Sequence, residues 1–263
     1  MTDTLVQHDT ILHADGRRLA GRWIRPNGAP AGPANLVFLH EGLGCIGMWG
    51  DFPQAVVAAT GLPALIYDRY GYGASDPLDG PPPLDWMEHE ALVSLPQVLA
   101  ETGIERPLLI GHSDGGTIAL IYGAHHPCAG IVTEAAHIYQ DALTHKGQAF
   151  VREQLDKGAI QEVLEPHHGG RTEALVRAWL AHWGSPEKRK WDISEMLPRI
   201  DCPLLAIQGE RDRFGEPAQL DNIVKGAGEG AKKLFLTDCG HVPHHQARET
   251  VLAAVTAFIG AAS

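Results

Sequence analysis

Gly111-His112-Ser113-Asp114-Gly115-Gly116 places a serine between glycines two positions before it and two after it. The segment follows the apolar run Pro107-Leu108-Leu109-Ile110 and precedes Thr117-Ile118-Ala119-Leu120-Ile121-Tyr122. The first run reads as a buried strand and the second as a buried helix. A serine pushed out on a strained strand-to-helix turn needs neighbours without Cβ atoms, and it then holds its hydroxyl clear of the backbone. The amide N–H after it, that of Asp114, lies at the helix start, where it can help bind an oxyanion. A serine hydroxyl is a weak nucleophile, so this chemistry also requires an imidazole to take its proton and a carboxylate to orient the imidazole. Without those partners Ser113 would be no more than a helix N-cap.

Both partners occur downstream. Asp212 lies 99 residues after Ser113, just past the strand-like Pro203-Leu204-Leu205-Ala206-Ile207, and His241 lies 29 residues further on, just past Lys232-Lys233-Leu234-Phe235-Leu236. Serine, acid and histidine in that order, each on a loop after a strand, resemble the α/β-hydrolase superfamily from the region of Leu36 to Ile259. The resemblance implies Ser113 as nucleophile, His241 as general base and then acid, and Asp212 as the orienting carboxylate. Glu134, at the end of the sixth strand, is the rival acid, since some members keep it there. His244 and His245 are the rival bases, although they lie deeper in the segment leading to the last helix.

His40-Glu41-Gly42-Leu43-Gly44 stands where the superfamily carries its His-Gly-x oxyanion loop, with Glu41 in place of the usual glycine. Aligning His40 with the motif histidine puts the oxyanion donors at the N–H groups of Gly42 and Asp114. Glu41 is either a structural acid or a residue turned towards substrate, and a buried charge there needs a partner. Asp114 either caps the elbow helix or holds a cationic group or a hydroxyl. Glu41 and His112 are therefore candidate substrate contacts. So are Trp179, Trp183 and Trp191, which are spaced by four and eight residues and would share a helix face if Pro186 did not interrupt. Asp68-Arg69-Tyr70-Gly71-Tyr72-Gly73-Ala74-Ser75 resembles a structural turn of the superfamily, with Tyr70 where arginine is usual.

Around these residues strands alternate with helices, which predicts a mostly parallel eight-stranded sheet with helices on both faces. Strands are expected near Thr10–His13 and Arg18–Ile24, joined by the turn Asp15-Gly16, then at Leu36–Leu39, Pro63–Tyr67, Pro107–Ile110 and Gly130–Glu134. Helices are expected at Pro53–Thr60, Leu84–Glu101, Gly115–His126 and Thr250–Ile259, with a linker over Pro26–Pro33. The alternation breaks between His137 and Arg199. Residues 1–136 and 200–263 are thus expected to form an α/β-hydrolase core, and 137–199 a helical cap inserted after the sixth strand.

Composition narrows the class. The 263 residues suit one large domain, and the net charge of −11 opposes binding to nucleic acid or an anionic membrane. No run approaches a membrane span, and Met1-Thr2-Asp3-Thr4 lacks a secretion signal, so the expected location is cytoplasmic. Cys45, Cys128, Cys202 and Cys239 are scattered, which suggests reduced thiols rather than a zinc site, and the adjacent pairs among the 15 histidines point apart in any regular element. No metal and no cofactor are implied. The expected partner is a small-molecule substrate, with a homo-oligomer open. The resemblance implies a serine hydrolase acting on a carboxylic ester or lactone. Alternatives are a thioesterase or amidase, a cofactor-free perhydrolase, a receptor that keeps the triad, and a C–C hydrolase of ring-fission products. The last usually carries Trp after its histidine, where this chain has Val242. Asp-nucleophile branches are set aside because position 113 is serine.

Overall fold

A computed structural model of the chain describes residues 5–29 and 36–262. The N-terminal Met1-Thr2-Asp3-Thr4 and the linker residues 30–33 lie outside the described residues. Two long strands, β1 (Leu5–Ala14) and β2 (Arg17–Pro26), form an antiparallel hairpin at one edge of the sheet. They run further in both directions than their apolar alternation indicates, because cross-strand pairing from Leu5↔Pro26 to Ala14↔Arg17 carries polar residues along with it. Next come β3 (Leu36–Leu39), α1 (Phe52–Thr60), β4 (Ala64–Tyr67), α2 (Trp86–His89), α3 (Leu95–Thr102), β5 (Leu108–His112), α4 (Asp114–Gly123) and β6 (Gly130–Glu134). One π-helical turn, Glu90–Ser94, links α2 to α3 ahead of Pro96, which has no N–H to continue an α-helical ladder.

Three helices follow β6: α5 (Ala142–Asp156), α6 (Ala159–His168) and α7 (Thr172–Trp183). Short turns then lead to β7 (Leu204–Gly209), α8 (Pro217–Ala227), β8 (Ala231–Leu236), α9 (Pro243–Gln246) and α10 (Arg248–Ala262). The eight-stranded sheet has the order β1-β2-β4-β3-β5-β6-β7-β8, antiparallel through β1, β2 and β4 and parallel from β4 onward. The parallel strands β3 to β7 are buried throughout, since helices cover both faces. One apolar cluster lies on the face that carries Val37, Leu109 and Ile131, and the other on the face that carries Phe38, Ile110 and Val132.

The chain passes from β3 outward to β4 and then returns to the other side of β3 to form β5. Loops after β3 and β5 therefore diverge at this switch point and leave a crevice at the carboxyl ends of the strands. Into it project the loops after β3, β5, β6, β7 and β8. Among the described residues, no helix is long and apolar enough to cross a membrane. The cysteines depart from the expected scatter in one respect: Cys128, before β6, and Cys202, before β7, bring their sulfurs to 3.1 Å because those two strands are neighbours.

Candidate active site

The elbow is built from close approaches. Ser113 sits at φ 52°, ψ −117°, a strained conformation for a residue with a Cβ, costing on the order of 1–3 kcal/mol. Its N–H donates to the Glu134 carbonyl at 2.8 Å and its carbonyl accepts from Thr117 N–H, so β6 and α4 hold the turn from both sides. The flanking glycines are needed for space: a Cβ on Gly111 would lie 2.3 Å from the Gly115 carbonyl oxygen, and one on Gly115 would lie 2.0 Å from that of Leu39. The positive φ falls on Ser113 itself, and α4 packs directly against the end of β3.

Ser113 Oγ donates to His241 Nε2 at 3.0 Å, and His241 Nδ1 lies 2.9 and 3.0 Å from the two Asp212 oxygens. An ionised carboxylate only accepts, so Nδ1 carries the proton and Nε2 keeps a lone pair facing the hydroxyl. The turn after β7 fixes Asp212 through Phe214 N–H at 2.8 Å. Burial alone would raise the Asp212 carboxyl, but the charge and hydrogen bond of His241, with His137 and the Phe214 N–H, outweigh it and hold the pKa at about 2. Glu134 belongs to a different pair: its Oε2 accepts from His244 N–H at 2.8 Å and contacts His244 Nδ1 at 3.1 Å. His245 Nε2 donates to the Met48 carbonyl. Only His241 among the three histidines meets Ser113.

The loop after β3 is stapled from below. His40 Nδ1 donates to the Glu41 carbonyl at 2.8 Å, while Nε2 accepts from Arg69 N–H at 3.1 Å; burial keeps this ring neutral, well below the usual histidine range. The buried Arg69 guanidinium donates to the carbonyls of His40 and Glu41, the latter at 2.8 Å. With both carbonyls turned down to Arg69, the Gly42 N–H and the Asp114 N–H have no acceptor among the described residues. Glu41 finds its partner in His112: Oε2 lies 3.4 Å from Nδ1, and His112 Nε2 donates to the His241 carbonyl at 2.7 Å. Burial opposes a charge on His112, yet the hydrogen bond and charge of Glu41, then Glu134 and the His241 carbonyl, raise its pKa to about 9. One imidazolium thus ties the loops after β3, β5 and β8 together.

These loops and the inserted helices enclose a cavity of about 130 Å³ containing Ser113 and His241. Of the five candidate substrate contacts, Glu41, Trp179 and Trp183 line it. His112 and Trp191 do not. His112 is buried beneath the elbow in its ion pair, and Trp191 lies outside α7, beyond Gly184 and Pro186, packed edge-on against Trp183 at 5.6 Å. Trp191 Nε1 donates to Glu88 at 2.7 Å, which seats the insertion on α2. Sequence reasoning missed His137, Thr144, Val151 and Phe214, which also line the cavity. Nothing local marks them: His137, Thr144 and Val151 depend on how the segment after β6 packs, and Phe214 on the turn after β7 that also holds Asp212. Arg69 reads from sequence only as part of a structural turn, and its guanidinium in fact shapes the loop that carries Gly42. A second cavity of about 260 Å³ lies on the other side of Trp179 and does not reach Ser113. Among the described residues, no group of three or more His, Cys, Asp or Glu side chains converges to hold a metal ion.

A hydroxyl held by an oriented imidazole, beside two free N–H groups, is equipped to attack a carbonyl and stabilise the resulting oxyanion. The chain is 26% identical over 245 residues, 84% of its length and 90% of the relative's, to the protein named "Putative carbamate hydrolase RutD" from Escherichia coli O81 (strain ED1a). A membrane phospholipase A, a bacterial virulence factor, superposes with a TM-score of 0.78 at 19% identity, covering 97% of this chain and 86% of that one. The enol-lactonase from Burkholderia xenovorans LB400 superposes with a TM-score of 0.74 at 16% identity, covering 95% and 100%. Those two likenesses concern the fold. Residues 36–254 match the alpha/beta hydrolase family, and with the order of its strands and loops this chain belongs to that family and is a hydrolase.

Proposed function

We propose that the protein is a serine hydrolase that cleaves a carboxylic ester or lactone through an acyl-enzyme on Ser113. The observation that carries this reading is the 3.0 Å contact of Ser113 Oγ with His241 Nε2, backed by Asp212 on Nδ1. As Oγ bonds to the substrate carbonyl carbon, its proton passes to Nε2, and the carbonyl electron pair moves to the oxygen. That oxyanion takes the N–H groups of Gly42 and Asp114, each such donor contributing roughly 3–4 kcal/mol in comparable sites. Collapse of the intermediate breaks the bond to the leaving oxygen, which receives the proton from Nε2. A water molecule then gives its proton to Nε2 and attacks the acyl carbon, and the second collapse returns the proton to Ser113 and frees the acid. Asp212 stays ionised throughout and stabilises the transient imidazolium.

A carbamate is a second reading, favoured by the name of the relative at 26% identity; it would be cleaved by the same acyl transfer. A panel of an ester, a lactone, a thioester, a carbamate and a ring-fission diketone, each with wild type and Ser113→Ala, separates the readings. The expected result is ester or lactone turnover that falls by about 10⁴-fold or more in Ser113→Ala, with fluorophosphonate labelling confined to Ser113. Full turnover by Ser113→Ala would overturn the acyl-enzyme.

A further inference from the structure

Two cavities meet at one side chain. Trp179 is the only described residue that lines both the 130 Å³ cavity beside Ser113 and the 260 Å³ cavity behind it. Helical spacing puts it there. Leu175, Ala178, Trp179 and His182 fall at i, i+3, i+4 and i+7 on α7 and face the outer cavity, while Trp183, one turn beyond Trp179, faces Ser113. Trp179 therefore stands on the seam between the two faces, and its indole is the partition. That ring is held in place. The N–H groups of Trp179 and Trp183 donate to the buried Asp114 carboxylate. The Trp179 ring lies 6.5 Å from that of Trp183 and packs on both the sheet core and the apolar cluster of the inserted helices.

The exposed lining of the inner cavity is almost entirely apolar, with Leu43, Val151, Trp183 and Phe214 around the triad. Such a lining suits a hydrocarbon group and offers a polar one no partner. The two ends of the cavity differ in what they border. Phe214 packs on the His241 ring at 4.6 Å, beside the place of the leaving oxygen, which His241 Nε2 must reach. A Cβ built on Gly42 would lie 2.4 Å from Trp179 Nε1, so the indole stands beside the loop that carries a proposed oxyanion N–H, on the acyl side. An apolar cavity of about 150 Å³ takes one benzene-sized group, so 130 Å³ has room for about four or five acyl carbons before the chain meets the indole.

We propose that the Trp179 indole is the end wall of an apolar acyl pocket, so that the preferred substrates are esters of short aliphatic acids and this one ring keeps longer chains out of the outer cavity. The inference rests on the Ser113 acyl-enzyme reading. p-Nitrophenyl acetate, butyrate, hexanoate and octanoate are compared by kcat/KM, since a ratio between substrates on one enzyme cancels general damage. Wild type is expected to favour butyrate over octanoate by about tenfold or more. Trp179→Ala, which joins the two cavities, should raise the octanoate-to-butyrate ratio by about tenfold or more. Trp179→Leu repeats the test with more of the apolar packing kept. Wild-type turnover of octanoate equal to that of butyrate, or a ratio unmoved in both variants, would overturn the wall. So would a shift confined to a parallel series of ethyl to octyl acetates, which vary the leaving group instead. Calorimetry of butyramide and octanamide on Ser113→Ala, with and without Trp179→Ala, reads the cavity without acyl transfer. Octanamide binding gained with Trp179→Ala, but no Ser113-dependent ester turnover, upholds the wall and refutes the acyl-enzyme. Ser113-dependent turnover with no such gain refutes the wall alone.

Discussion

Asp212→Asn, set against Glu134→Gln, tests which carboxylate serves His241. The fall of the Asp212 carboxyl from 3.8 to about 2 corresponds to roughly 2 kcal/mol of preference for its ionised form. In Asp212→Asn the amide oxygen can still accept from Phe214 N–H, but its NH₂ would face His241 Nδ1. That forces the imidazole proton onto Nε2, which then opposes the Ser113 hydroxyl as a donor. Loss of the electrostatic term and inversion of the tautomer together should lower kcat by about 10⁴-fold, or about 5 kcal/mol, as in the serine-protease counterpart. Glu134→Gln should leave kcat within a few-fold, because Glu134 meets His244 and not His241. Its effect should appear in stability: an impaired buried pair costs about 1–3 kcal/mol, a melting-temperature loss of a few degrees in a domain of this size. The assay is steady-state turnover of the best ester with thermal unfolding in parallel. Asp212→Asn keeping a tenth or more of kcat while Glu134→Gln loses most of it would refute the assignment.

The His112–Glu41 pair makes stability depend on pH. With the His112 pKa raised to about 9, its contribution is full below the ordinary histidine value of 6.5 and is lost as pH rises through about 9; melting temperature should fall across that window, and the slope should flatten in His112→Gln. Gly115→Ala should give no folded protein, because its Cβ would stand 2.0 Å from the backbone oxygen of Leu39, whereas Gly42→Ala meets only side-chain atoms and should fold but lose turnover by about tenfold or more, checked by circular dichroism and kinetics. Mild oxidation with diamide should join Cys128 to Cys202 and leave Cys45 and Cys239 as thiols, since both of the latter are pushed up to about 11 by burial; alkylation under denaturing conditions and mass spectrometry read the outcome.

The order and location of Ser113, Asp212 and His241 were legible in the chain because each follows an apolar run that ends in a local signal. For Ser113 that signal is Gly111 and Gly115, for His241 it is Gly240, and for Asp212 it is the polar Gly209–Arg213 turn. The parallel sheet was legible for the same reason: strand-sized apolar runs alternate with helical ones, and burial on both faces leaves such runs uninterrupted. Which partner each side chain takes was decided by the tertiary structure. Glu134 ends β6 and Asp212 lies in the turn after the neighbouring β7, and only the path of the loop after β8 gives His244 to the first and His241 to the second. Trp179 and Trp183 reach the cavity while Trp191 does not, because α7 stops at Gly184 and the chain turns away before Trp191. Cys128 and Cys202, 74 residues apart, meet because β6 and β7 are adjacent. Apolar periodicity and glycine placement act over a few residues and can be read along the chain. The pairing of buried polar groups depends on which loops the sheet order brings together, and no local pattern encodes that order.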